Sequence, residues 1–181
     1  MSGNQPSTFG NTAFLWQNGP YIPYNQAALA SQPVSGDSSQ GSVNFTGLQI
    51  QSKDYIVGYA VGPNVGNICS WAYIPPSGTP TATFQTNISM ASVALDTVVV
   101  NYDVPDGANP QTSAHWIGIF AGPVASFTAK PLAQAKVASD VSQGQVPIPC
   151  TLTRGTTYTV AYFMGAKQTM MAATVTFTTA S

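Results

Sequence analysis

The feature that most constrains this chain is that it resembles itself. Shifted by 103 residues, Phe14–Gly78 falls on Ile117–Ser181 without a gap and with 14 identities. Gly19-Pro20 meets Gly122-Pro123, Leu29-Ala30 meets Leu132-Ala133, and Tyr55, Val57, Tyr59 and Gly62 meet Tyr158, Val160, Tyr162 and Gly165. Asp37-Ser38-Ser39-Gln40-Gly41 meets Asp140-Val141-Ser142-Gln143-Gly144. Typical residue frequencies give roughly four or five matches by chance. The reading is an internal duplication, with residues 1–78 as a truncated first β-repeat and 79–181 as a complete second one; the alternative is that the two form one continuous domain.

Each copy reads as strands. Tyr55–Val61 and Tyr158–Met164 alternate, each reaches a turn at Gly62 or Gly165, and each is followed by a return strand, Ile68–Ile74 or Met170–Thr178. A further strand is expected over Val43, Phe45 and Leu48–Ile50, matching Val146, Ile148 and Leu152. Residues 81–90 and 92–102 add two β-branched strands that the first copy lacks. The weak helix candidates are Ala129–Ala138 and its counterpart Gln26–Ala30. With 16 Gly and 14 Pro spread along the chain, these segments predict an all-β, immunoglobulin-like sandwich whose first copy is about two strands short.

Charge removes several functions. Four Lys, one Arg and six Asp make 6% of the chain, against about 25% in an ordinary domain. That set supplies no basic stripe for nucleic acid, and no apolar run is long enough to cross a bilayer as a helix. One His and two Cys are too few for a standard zinc site, so no cofactor is expected. There is no G-x-S-x-G elbow and no adjacent carboxylate pair, which argues against an enzyme. The opening Met1-Ser-Gly-Asn-Gln-Pro has neither a basic nor an apolar leader region, so a cytoplasmic or non-classically exported protein is expected. Cys69 and Cys150 are not related by the repeat; two buried thiols are expected rather than a cross-copy disulfide.

The second copy also resembles the SKICH-type immunoglobulin-like module. The resemblance lies in Trp116-Ile-Gly-Ile-Phe120, then Tyr158-Thr-Val-Ala-Tyr162, then Met171-Ala-Ala-Thr-Val-Thr-Phe177. It covers residues 81–181 and fails in the first copy, where Ala13 stands in place of the Trp. It implies a seven-stranded, non-catalytic recognition or scaffolding module.

Candidate binding residues follow from neutral polar chemistry. The repeated loop offers Asp37, Ser39, Gln40, Asp140, Ser142 and Gln143, and Tyr21, Tyr24, Trp71 and His115 offer rings near expected loops and edges. Together they suggest lectin-like recognition of a glycan, with the tandem arrangement giving avidity. The alternative is a self-assembling filament, coat or sheath subunit joined through β-edges. Either reading expects a homo-oligomer, with an interface near residues 5–24 or 64–76. A lesser expectation is calcium held by Asp103, Asp106 and Asn109, although Pro105-Asp106-Gly107 also makes a turn without it.

Overall fold

The computed structural model describes residues 3–17 and 19–181. Its elements are antiparallel strands: β1 (Thr12–Gln17), β2 (Ala30–Pro33), β3 (Tyr55–Ala60), β4 (Ile68–Ile74), β5 (Ala82–Gln85), β6 (Asn87–Val93), β7 (Thr97–Asp103), β8 (Trp116–Ala121), β9 (Ala133–Lys136), β10 (Gln143–Pro149), β11 (Thr157–Phe163) and β12 (Met171–Thr178). They form three sheets, ordered β2-β1-β3-β4-β5, β10-β7-β6 and β12-β11-β8-β9.

The last two sheets make a three-on-four β-sandwich. Alternation builds its interior: Val98, Val100 and Tyr102 of β7 and Val146 and Ile148 of β10 face Ile117, Ile119, Tyr158, Val160 and Tyr162. The hydroxyl of Tyr158, at the start of β11, accepts the Thr153 N–H at 2.9 Å. This tyrosine corner ties the strand to the connection that enters it.

The first unit repeats the four-stranded layer. Its order β2-β1-β3-β4 matches β9-β8-β11-β12, and the bulge between Tyr59 and Ala60 matches that between Tyr162 and Phe163. Tyr55 accepts the Gln49 N–H at 2.9 Å, the counterpart of the Tyr158 corner. The registers also correct the ungapped alignment. Thr12 pairs with Ala60 as Trp116 pairs with Phe163, so the offset before Gly19 is 104 and Thr12, not Ala13, occupies the Trp116 position.

Among the described residues, the first unit has no second layer of strands. The expected strand over 43–50 does not form: among the described residues, no strand lies between Pro33 and Tyr55. Val146 and Ile148 become a strand because β7 pairs with them. The first unit has no such neighbour, and an unpaired segment broken by Gly47 (φ +75°) has no ladder to join. The helix candidates are also wrong, since Ala30–Pro33 and Ala133–Lys136 are edge strands paired to β1 and β8. Tertiary pairing there overrides the helix propensity of alanine. The 81–102 strands divide differently from expectation, with β6 turning into β7 through an Ala94 N–H to Thr97 carbonyl bond.

The units meet through equivalent turns. Asn67, buried at 4% exposure, donates from Nδ2 to the Met164 carbonyl. Within the second unit the Trp116 indole donates to the Gly165 carbonyl of that turn at 3.0 Å. Asn67 is thus bonded inside the molecule, and Ile22 is buried at 5% exposure among Phe14, Trp16 and Ile56.

Candidate functional site

His115 is fully buried at the joint between the units. Its Nε2–H donates to the Gly66 carbonyl of the first unit at 3.0 Å, which leaves Nδ1 to accept from the Tyr162 hydroxyl at 2.9 Å. The Tyr162 ring meets the imidazole edge-on. Burial holds the imidazole neutral and lowers its pKa to about 4, against weaker upward pulls from the Gly66 bond and the Asp140 charge. The first unit places Asn11 in the same role, donating to the Tyr59 hydroxyl at 2.7 Å. His115 is therefore a positioned interior group and offers no face to a ligand.

The repeated polar loops are likewise used internally. Asp37 accepts from the Thr8 N–H (3.0 Å) and the Thr8 hydroxyl (2.8 Å). Asp140 accepts from Thr112 in the same two ways, at 2.8 and 2.7 Å. Backbone bonds from these threonines, then their hydroxyls, are the largest causes that hold both carboxyls below the usual range. Neither threonine was singled out in the sequence, because the gap-free register pairs Thr8 with Gln111 rather than Thr112. Ser142 donates to Asp106 at 3.3 Å, and Gln143 donates to Asp103 at 3.2 Å. Ser39 and Gln40 are exposed.

These bonds gather Asp103, Asp106, Ser142 and Gln143 at one end of the second unit, with Asn109 exposed nearby in sequence. Among the described residues, no group of three or more His, Cys, Asp or Glu is placed to hold a metal ion. The two thiols are free; Cys69 is buried and Cys150 half-buried, against the expectation that both are buried. Burial raises the Cys69 thiol to about 12, so it is no nucleophile at neutral pH.

The aromatic candidates scatter. Tyr21 is 62% exposed. Trp71 stacks on Phe84 across the β4–β5 pair, with centroids 6.2 Å apart. Tyr24 packs between the cores of the two units, and its buried hydroxyl has no hydrogen-bond partner among the described residues. Burial, the largest cause, raises its pKa.

A cleft with neutral polar lining lies elsewhere. Of about 470 Å³, it opens between the first sheet and irregular residues 45–49, lined by Leu15, Gln17, Gln32, Gln49 and Tyr55 among others. By the 103-residue offset, residues 45–49 correspond to 148–152, the end of β10 and the chain just after it.

Removing the Asp140 carboxylate tests its assignment as a loop tie. Asp140→Ala is expected to lower the thermal midpoint, and Asp37→Ala to do the same in the first unit. Both carboxyls have depressed pKa values, so their stabilisation is present above the unfolded carboxylate pKa and is lost as pH falls through the folded one. Unchanged midpoints by calorimetry in both variants would refute the assignment.

No family model and no curated protein matches this chain. Among solved structures it is similar to a DUF3823 family protein from Bacteroides uniformis, at 8% identity over 88% of this chain and 81% of that one, with a TM-score of 0.35. A likeness that slight carries no functional argument.

Proposed function

We propose that this protein is a non-enzymatic structural subunit that associates with copies of itself through its β-edges. The observation that carries this reading is the incomplete first unit. Strands β1 to β4 have the order of β8, β9, β11 and β12, yet no sheet equivalent to β10-β7-β6 covers them. Val57, Ala72 and Ile74 stay half-exposed there, under chain that forms no ladder. The reading is supported by the internal hydrogen bonds of Asp37, Asp140 and His115, three of the ten candidate glycan contacts. A charge of −1 spread over 181 residues gives little repulsion between copies.

A glycan-binding reading retains one specific support. The cleft beside β1 and β2 presents the amide side chains Gln32 and Gln49 next to Tyr55, a neutral lining suited to hydroxyl groups. Sedimentation velocity from low to high micromolar concentration separates the two readings. Self-association that grows with concentration is the expected result. A monomer throughout, together with binding on a glycan array, would replace the subunit reading by the lectin one.

A further inference from the structure

The free strand edges of this molecule fall into a guarded set and an unguarded one. In the first set β2 ends on Pro33, β10 carries Pro147 and Pro149, and β9 ends on Lys136. Proline and lysine are the usual means of stopping an exposed edge from pairing. The remaining edges, β5, β6 and β12, contain no proline and no charged residue. Between Asp54 and Asp96 the chain has no Asp, Glu, Lys, Arg or His.

The unguarded edges of the sandwich are also neighbours. β6 borders the three-stranded sheet, β12 borders the four-stranded one, and the hollow between them is lined by Gln85, Thr86, Asn87, Ala172, Ala173 and Thr174. Hydrogen-bond phase shows what β12 presents. Gly122 N–H bonds the Thr157 carbonyl and Thr179 N–H bonds the Thr156 carbonyl, so Tyr158, Val160 and Tyr162 bond towards β12. The amides of Thr174, Thr176 and Thr178 consequently point away from β11, and all three residues are exposed. On β6 the bulge between Met90 and Ser92 twists the far end away, and Thr86 N–H already bonds the Cys69 carbonyl of β4, so the open stretch runs from Asn87 to Met90.

We infer that this side docks a second copy of the same chain across a two-fold axis, β6 against its own image and β12 against its own image. The inference rests on the self-association reading and assigns it a surface on the second unit, apart from the incomplete layer of the first. A lone extended peptide satisfies one edge and leaves the other bare. A second copy brings both edges at the same inter-sheet spacing, about 10 Å, and a two-fold axis matches each edge to itself. Three strands from each copy then make one continuous sheet, and four from each make the other. Self-pairing elsewhere places like charges opposite each other wherever an edge is charged; here none is.

The test is an Asn87→Lys/Thr174→Lys double variant, with Ser31→Lys on the guarded β2 edge as its control. All three positions are exposed, so the fold tolerates the changes. The double variant is expected to weaken self-association by about 100-fold or more in sedimentation equilibrium, while Ser31→Lys leaves it unchanged. Hydrogen exchange on the unaltered protein gives a second reading: the amides of Thr174, Thr176 and Thr178 should slow as concentration rises. Self-association that survives the double variant, or amides that exchange rapidly at every concentration, overturns the edge assignment and leaves self-association itself standing. A monomeric unaltered protein overturns the self-association reading together with this one.

Discussion

Replacing His115 with alanine should lower the unfolding free energy by about 4 kcal/mol, from two lost hydrogen bonds with buried partners and the cavity left behind. The partners belong to different units: the Gly66 carbonyl to the first and the Tyr162 hydroxyl to the second. The loss should therefore fall on the joint as well as on the second core. His115→Asn, which copies the Asn11 arrangement of the first unit, should recover part of it.

The same residue sets a pH dependence with a definite sign. The folded pKa is about 4 against a reference of 6.5, so both states hold a neutral imidazole above pH 6.5. Between pH 6.5 and 4 the unfolded chain binds a proton that the folded one refuses, and stability falls as pH drops, by about 1.4 kcal/mol per unit at the steepest. The full loss, roughly 3 kcal/mol, is reached below pH 4. The depressed carboxyls of Asp37 and Asp140 titrate below the ordinary carboxylate range, outside the upper half of this window. Denaturant unfolding at pH 7, 6 and 5 isolates the histidine. Equal stability at all three, or an unchanged slope in His115→Asn, would contradict the assignment.

Gly165→Ala is expected to be the second most damaging change, at about 2–4 kcal/mol. Gly165 has φ +157°, and a Cβ there would collide with Met170 Sδ and stand 2.9 Å from Asn67 Nδ2. That nitrogen donates to the Met164 carbonyl while Asn67 Oδ1 accepts the Asn64 N–H, so the intruding methyl disturbs the turns of both units. The equivalent Gly62 is crowded by the same pair, with Asn67 Oδ1 at 2.7 Å and Met170 Cε at 3.0 Å, but without the left-handed φ. Gly62→Ala should accordingly cost less. Gly41, with open space around it, is the control. For a chain of this size each kcal/mol moves the thermal midpoint by about 2–4 °C, which differential scanning calorimetry resolves. A Gly165→Ala midpoint equal to that of Gly41→Ala would show that the turns do not lock the units together.

Much of this architecture was legible in the residues. Strand type followed from alternation, because Val98, Val100 and Tyr102 or Val146 and Ile148 put every second side chain into one core, whatever the chain's wider topology. The two hairpins β3–β4 and β11–β12 followed from the same local pattern and from the turns at Gly62 and Gly165. The near-absence of charge was also available at once, and it bears directly on which sheet edges lack protection.

What the tertiary structure decided were the places where a segment's state depends on a neighbour distant in sequence. Val43 and Phe45 carry the same alternation as Val146 and Ile148, yet only the latter form a strand, because β7 supplies the missing hydrogen bonds to them alone. Ala133–Lys136 is a strand for the converse reason, since β8 offers a free ladder that outweighs alanine's helix preference. The setting of the candidate binding residues rests on the same ground. Asp37, Asp140 and His115 look available in a linear sequence, but Thr8, Thr112, Gly66 and Tyr162 reach them from 28 to 49 residues away and satisfy them. Periodicity is local and can be read along the chain; hydrogen-bond satisfaction is set by long-range pairing, and only the folded arrangement determines it.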